Sequence, residues 1–407
     1  MIQFKKVYLK TQNILFMKEA YHRLIQRSDL GFFQLPDRNE LWSDAQEVGQ
    51  KLRQKYDHLV VVGIGGSSLG ARALVELFQT PKNHNKIYFL DNVDPIEFER
   101  LLQSVGNLQK TAWLVISKSG GTIETVVAAD FVRQHYEQLE ISFYDKVHVV
   151  SENRDNALTT WARAHQIPQS EIPIDVGGRF SVLTPGGMIV AAYLGVNIHD
   201  MRSGAALAVK DSEGIAEMSA QIQESFQNEK WVTVLWTYTS TLRFFGLWWQ
   251  QLWAESLAKK VTRKGGAAPR VSTPISGVGA CDQHSILQQV MEGAKDKFVL
   301  FIVNTGFGKE GHALKTTEFP SANYIVGHRM GDLLNAEASA TENALEQSDV
   351  MTSTIEIPDI EPKTIGYLFM FWQMVIGTLG EALDINAFDQ PGVELGKRLA
   401  RSKFTTK

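Results

Sequence analysis

The sequence predicts an α/β protein built on two parallel sheets, each flanked by helices. Three observations carry this reading. Short apolar runs alternate with helical patterns through the first half, which suits a parallel sheet buried on both faces. The second half repeats that style. The 407 residues also exceed what one hydrophobic core usually organises, so two domains are expected.

The elements follow in order. Residues 59–64 read as a buried strand, followed by glycines and a helix over 67–78. Strands are expected over 86–90 and 112–117, the latter leading through a glycine turn into a helix over 122–137. A fourth strand is expected over 146–151. Residues 201–214 mark the expected boundary between the halves. Beyond it, 231–238 is strand-like and an aromatic helix spans 240–259. Strands at 297–303 and 354–357 bracket strand-like residues 323–326 and a helix near 331–345. Pro362 sits at a favoured helix entry and opens a long helix to about residue 383. A final helix follows Pro391. Low-complexity segments and short repeats are absent from the sequence.

Composition narrows the function. Hydrophobic residues make up 44% and charged residues 21%, with net charge −4. A nucleic-acid binder usually carries a strong basic excess, so an anionic ligand must here be met by local donors. The single cysteine, Cys281, excludes an intramolecular disulfide framework and fits a reducing, cytoplasmic setting. Lys5, Lys6 and Lys10 interrupt residues 1–16, which therefore lack the apolar core of a signal peptide. The apolar stretch 231–257 is broken by Arg243 and Glu255 and reads as buried strand and helix, not a membrane span.

Two loops stand at strand-to-helix junctions, where exposed backbone N–H groups favour anions. The first runs from Gly63 to Gly70 and includes Gly66 and Ser67. It is not a P-loop, because no lysine follows Gly70. Nor is it a dinucleotide fingerprint, because Ser68 stands where a third glycine is expected. A plain tight turn explains it equally well. The second runs Ser117, Lys118, Ser119, Gly120, Gly121, Thr122, Ile123, Glu124, Thr125. Its hydroxyls, its lysine and its amides suit a phosphate monoester; helix capping by Ser119 or Thr122 is the plainer alternative.

Acid–base candidates come next. Helical spacing places Trp248, Gln251, Leu252 and Glu255 on one face. A carboxylate beside indoles loses hydration and becomes a better proton acceptor near neutrality. A surface pair between Glu255 and Lys259 is the competing reading. His284 follows a glycine-rich stretch and can move protons at physiological pH, although a lone histidine is more often structural. Arg179 follows Gly177 and Gly178, which can turn it into a cleft. Lys397 lies on the terminal helix, where a solvated role competes. With no HExxH motif and no paired cysteines, no metal site is expected.

Taken together, in this order, these segments resemble the phosphoglucose isomerase family over residues 40–402. Gly63 to Gly70 looks like its first sugar loop, and Ser117 to Thr125 like its phosphate loop in serine–glycine form. Val176-Gly177-Gly178-Arg179-Phe180-Ser181 is similar to its arginine motif, and residues 250–260 to the helix carrying its base. Asp282-Gln283-His284-Ser285 resembles its histidine motif. The most specific match is Asn386-Ala387-Phe388-Asp389-Gln390-Pro391-Gly392-Val393-Glu394 through Lys397. The chain departs from the pattern in being short, in Ser256-Leu257-Ala258-Lys259 after the glutamate, and in Trp253-Ala254 before it.

The resemblance implies two sugar-isomerase-type (SIS) domains, over 40–205 and 206–360. An N-terminal helical segment (1–39) and a C-terminal helical arm (361–407) complete the expected organisation. It implies reversible isomerisation of D-glucose 6-phosphate and D-fructose 6-phosphate through a cis-enediol, in glycolysis and gluconeogenesis, without cofactor or metal. Ser117, Lys118, Ser119, Gly120, Gly121 and Thr122 would hold the phosphate, and Gly66, Ser67 and Gln251 the sugar. Glu255 would carry the proton and Arg179 would steady the enediolate. His284, assisted by Lys397, would open the ring. It further implies a homodimer in which His284 serves the neighbouring active site. A dual glucose/mannose 6-phosphate isomerase and a non-catalytic sugar-phosphate sensor are the alternative readings.

Overall fold

A computed structural model describes residues 2–4, 11–81 and 86–405. Lys5, Lys6 and Lys10 lie outside the described residues. Among the described residues there are ten strands: β1 (Gln3–Phe4), β2 (His58–Val62), β3 (Lys86–Leu90), β4 (Thr111–Ile116), β5 (Val147–Ser151), β6 (Gln169–Glu171), β7 (Val232–Tyr238), β8 (Thr273–Val278), β9 (Lys297–Asn304) and β10 (Met351–Ile357). The first-half helices are α1 (Thr11–Ile25), α2 (Asn39–Lys55), α3 (Leu69–Phe78), α4 (Pro95–Val105), α5 (Ile123–Gln138), α6 (Ala157–Ala164), α7 (Pro185–Leu194) and α8 (Ile198–Lys210). The rest are α9 (Ser212–Gln227), α10 (Arg243–Leu257), α11 (Leu287–Glu292), α12 (Met330–Gln347), α13 (Pro362–Ala382) and α14 (Glu394–Thr405).

The strands form two five-stranded sheets, ordered β3-β2-β4-β5-β6 and β1-β10-β9-β7-β8. The first is parallel throughout. In the second, β10, β9, β7 and β8 run parallel, but β1 pairs antiparallel with β10, Gln3 opposite Glu356. β1 thus adds a short antiparallel edge to the parallel second sheet, and it comes from a segment read as helical. Two residues carry no periodicity, and their pairing partner lies near the other end of the chain.

Sheet residues explain the layering. β4 is buried at every position and β2 at all but His58, so helices cover both faces. At residues 201–214 α8 and α9 meet, with Met201, Ala205 and Ala208 buried against the core. Gly204 lies so close to Lys363 that a Cβ would stand 1.8 Å from its carbonyl oxygen, which locks α8 onto α13. Residues 323–326, read as strand-like, belong mostly to a 3-10 turn, Pro320–Ile325. The expected C-terminal arm has two unlike parts. α13 is buried along nearly its whole length, whereas every described side chain of α14 is exposed.

Candidate active site

The first loop leaves β2 and enters a 3-10 turn over Gly65–Ser67 before α3. Its glycines answer to close packing. A Cβ on Gly66 would stand 2.5 Å from the Gly178 carbonyl oxygen and 2.9 Å from the Arg179 nitrogen. Gly65 has φ +60°, and its Cβ would meet Gln251 Nε2 at 3.0 Å. The loop is therefore wedged between the arginine motif and the aromatic helix, so Gly66, Arg179 and Gln251 share one neighbourhood.

Arg179 sits in a 3-10 turn, Gly178–Leu183, that feeds the fully buried helix α7. The residue is 2% exposed, and its guanidinium uses all five donors. Nε donates to Ser256 Oγ at 2.7 Å; Nη1 donates to Gln390 Oε1 at 2.8 Å and Glu255 Oε2 at 3.3 Å; Nη2 donates to the carbonyls of Ala387 at 2.5 Å and Asp389 at 3.0 Å. Burial pulls its pKa below the ordinary arginine value, and the Glu255 carboxylate opposes that shift.

Glu255 lies in the last turn of α10. Its Oε1 accepts from Gln251 Nε2 at 3.0 Å and its Oε2 from Arg179. The side chain is 32% exposed. Trp248, Trp249, Leu252 and Trp253 point into the core, where Trp249 packs on Trp372 and Trp248 on Phe369. Gln251 and Glu255 sit at the partly buried edge of that face, where the carboxylate meets the Arg179 guanidinium. The carboxylate does not pair with Lys259. That ammonium binds the Glu255 main-chain carbonyl at 2.8 Å and Asp389 instead.

The second loop follows β4. Ser117 Oγ donates to Thr122 Oγ1 at 2.9 Å, and the Gly121 amide approaches Ser119 Oγ at 3.4 Å. Thr122 occupies the N-cap of α5, yet its side chain bonds no amide of the first turn. The sixteen-residue helix thus directs its N-terminus at the loop without the side-chain cap that a purely structural role favours. Gly120 takes φ +63°, with Asn156 packed where a Cβ would lie. Lys118 turns away to the buried carboxylate of Glu152 at 2.8 Å, which Arg154 also neutralises at 2.5 Å.

His284 and Lys397 are not brought to this cluster within the chain. His284 ends a 3-10 turn, Cys281–His284, and is exposed. Lys397 lies on α14 and pairs with Glu394 at 2.8 Å, with 61% of its side chain exposed.

Sequence reasoning missed four residues. Gln390 and Ser256 hold Arg179, and Lys259 ties α10 to Asp389. Thr125 Oγ1, one turn into α5, is buried without a hydrogen-bond partner among the described residues. Its spacing of three from Thr122 was a usable signal: it puts two hydroxyls on one face of the helix start.

Strand-to-helix loops over paired sheets, with a carboxylate, a guanidinium and a hydroxyl-rich helix N-terminus at their tips, mark a sugar-phosphate isomerase type of fold. A solved glucose-6-phosphate isomerase from Chlamydia trachomatis shares that fold at TM-score 0.77 and 23% identity, over 90% of this chain and 73% of that one. A hypothetical protein of solved structure from Thermus thermophilus superposes at TM-score 0.90 and 28% identity over the whole of both chains. The glucose-6-phosphate isomerase of Carboxydothermus hydrogenoformans is 32% identical over 92% of this chain and 84% of its own. The sequence model of phosphoglucose isomerase matches residues 44–406, and the chain belongs to that family.

Proposed function

We propose that the chain interconverts D-glucose 6-phosphate and D-fructose 6-phosphate by proton transfer through a cis-enediolate. The observation that carries this reading is the Glu255 carboxylate, held at 3.3 Å from Arg179 Nη1 and 3.0 Å from Gln251 Nε2 beside the Gly63–Ser67 loop. Glu255 removes the proton from one carbon and returns it to its neighbour. One carboxylate suffices because both carbons present hydrogen on the same face. The oxygen left behind gathers negative charge. Arg179 already uses every donor, so an incoming oxygen replaces one partner, and the long contact to Glu255 is the first to yield. That exchange frees a carboxylate oxygen as the proton arrives and places a fixed cation on the enediolate. Such placement is worth about 3–4 kcal/mol in a water-poor site.

Ser117, Ser119, Gly120, Gly121 and Thr122 hold the 6-phosphate against the N-terminus of α5, and the unpartnered Thr125 hydroxyl joins them. Lys118 and Arg154 share the single charge of Glu152, so the trio leaves one net positive charge beside the loop. Gly66, Ser67 and Gln251 line the sugar side.

The site is completed in a homodimer, where the partner subunit's His284 opens the ring. Support comes from what the single chain leaves uncovered. On α14, Leu395 and Leu399 are each 55% exposed and Phe404 is 90% exposed, and within residues 319–330 Phe319, Tyr324 and Met330 are 70–87% exposed. A partner subunit covering these side chains would remove their apolar area from water. No helix among the described residues is long and apolar enough to cross a membrane, and a cytoplasmic enzyme fits this. The test is a coupled assay of purified protein on fructose 6-phosphate in deuterated water. Glucose 6-phosphate carrying deuterium at C2 is expected; no turnover refutes the assignment. Parallel turnover of mannose 6-phosphate would favour the dual isomerase.

A further inference from the structure

Lys259 follows Glu255 by one helical turn, a spacing at which a lysine usually pairs with the glutamate carboxylate on the surface. Here it does something else. Its side chain is only 7% exposed. The ammonium donates to the Glu255 main-chain carbonyl at 2.8 Å and to the Asp389 carbonyl at 2.5 Å, and forms an ion pair with Asp389 Oδ1 at 3.0 Å.

The helix ends at Leu257, two residues past Glu255. Carbonyls in a last turn lack amide partners, and a basic side chain there satisfies them and the helix dipole. The ammonium takes that part for the very residue whose carboxylate faces Arg179. Asp389, on the other side, also lends its carbonyl to Arg179 Nη2 at 3.0 Å. A closed ring results: Glu255 main chain, Lys259, Asp389, Arg179 and back to the Glu255 carboxylate. Burial lowers the Lys259 pKa, and Arg179 adds to that shift, while Asp389 opposes it. Two cations so close are tolerated because both are held by the same short stretch, 387–390.

We propose that Lys259 is a positioning residue for the isomerisation: it clamps the last turn of α10 to the 387–390 segment and so sets the Glu255 carboxylate against Arg179. The inference rests on Glu255 being the base. A fraying last turn displaces its carboxylate by an ångström or more, enough to cost about a hundredfold in rate.

The experiment uses the full chain and fructose 6-phosphate. Lys259→Met keeps the aliphatic stem and removes the donors. The expected result is a kcat about 30-fold lower with KM within twofold of the parent. Lys259→Ala is expected to lose about 100-fold and to recover at least 10-fold, saturably, on addition of n-propylammonium, but not of tetramethylammonium, which has no N–H. Asp389→Asn, at a half-exposed carboxylate, is expected to lower kcat about threefold and to add nothing to Lys259→Met, because the two act as one contact. Should the lysine variants fail to fold, the Asp389→Asn kinetics decide. A kcat within threefold of the parent for folded Lys259→Met, a loss confined to KM, or indifference of folded Lys259→Ala to propylammonium overturns the proposal. So does an unaltered kcat for Asp389→Asn when that variant decides. An inactive parent defeats the Glu255 assignment itself, whereas an active parent with an indifferent Lys259→Met defeats only the positioning role.

Discussion

Arg179 Nη1 lies 3.3 Å from Glu255 Oε2, although the two residues come from different halves of the chain, 76 positions apart. The carboxylate stands at the accessible end of that contact and the guanidinium at the buried end. The partly exposed carboxylate, the proposed base, thus rests on a buried cation.

The first prediction concerns that base. Glu255→Gln preserves the shape and the Gln251 contact but removes the proton acceptor. We expect kcat to fall at least about a thousandfold, equivalent to ~4 kcal/mol, with KM changed little. Steady-state kinetics decide it: a variant keeping a tenth of the activity removes Glu255 from the proton transfer.

A second prediction tests the loop before α5. Ser117→Ala combined with Thr122→Ala removes both members of a 2.9 Å hydroxyl pair. Thr125→Val removes the buried hydroxyl that has no partner among the described residues. Because a phosphate is bound alike in ground and transition states, KM is expected to rise about tenfold or more while kcat moves far less. Unchanged KM in both variants would assign the loop to helix stability alone.

The third prediction addresses the exposed His284. Glu255→Gln and His284→Ala are each expected to be nearly inactive. After unfolding, mixing and refolding, a mixed dimer in which the two residues meet across the two-fold axis has one intact site. Random pairing then returns roughly a quarter of parental activity. Mixed dimers confirmed by mass spectrometry yet without recovered activity would place His284 in its own chain's site.

Acid stability gives the fourth. His148 on β5 is buried; its Nε2 meets Ser170 Oγ at 2.9 Å, and that hydroxyl donates to Asp44 Oδ2 at 2.6 Å. Burial pushes the imidazole pKa down to about 4 from the ordinary 6.5, with Asp44 partly opposing. The unfolded chain therefore takes up this proton near pH 6.5 and the folded chain only near pH 4. The histidine's contribution is complete above pH 6.5 and is lost as pH falls from 6.5 to 4, by ~3 kcal/mol in all. Urea unfolding across that window should show a steeper acid loss in the parent than in His148→Gln. Equal slopes would contradict the buried neutral imidazole.

The apolar runs at β2 and β4 and the glycine–serine turns after them were legible locally, because burial on both faces leaves a continuous apolar signature. The hydroxyl cluster of the second loop was legible because Ser117, Ser119 and Thr122 are neighbours in sequence before Ser117 and Thr122 pair in space. β1 was not legible, since two residues pairing with Glu356 and Ile355 carry no period of their own.

The amino-acid sequence alone determined the alternation of strands and helices, the two loops and the identity of Glu255 and Arg179 as candidates. Each of these depends on contiguous residues and on the backbone's preference for a single local geometry. Only the tertiary structure decided the partners. Helical spacing placed Glu255 beside Trp248 and Leu252, but a helix face is a wide arc, and the packing of α13 decided which part of it was buried. The five acceptors of Arg179 come from α10 and from residues 387–390, and the Lys259 clamp joins the same two segments. A hydrogen bond is fixed within a few tenths of an ångström, and that placement exists only once distant segments have packed.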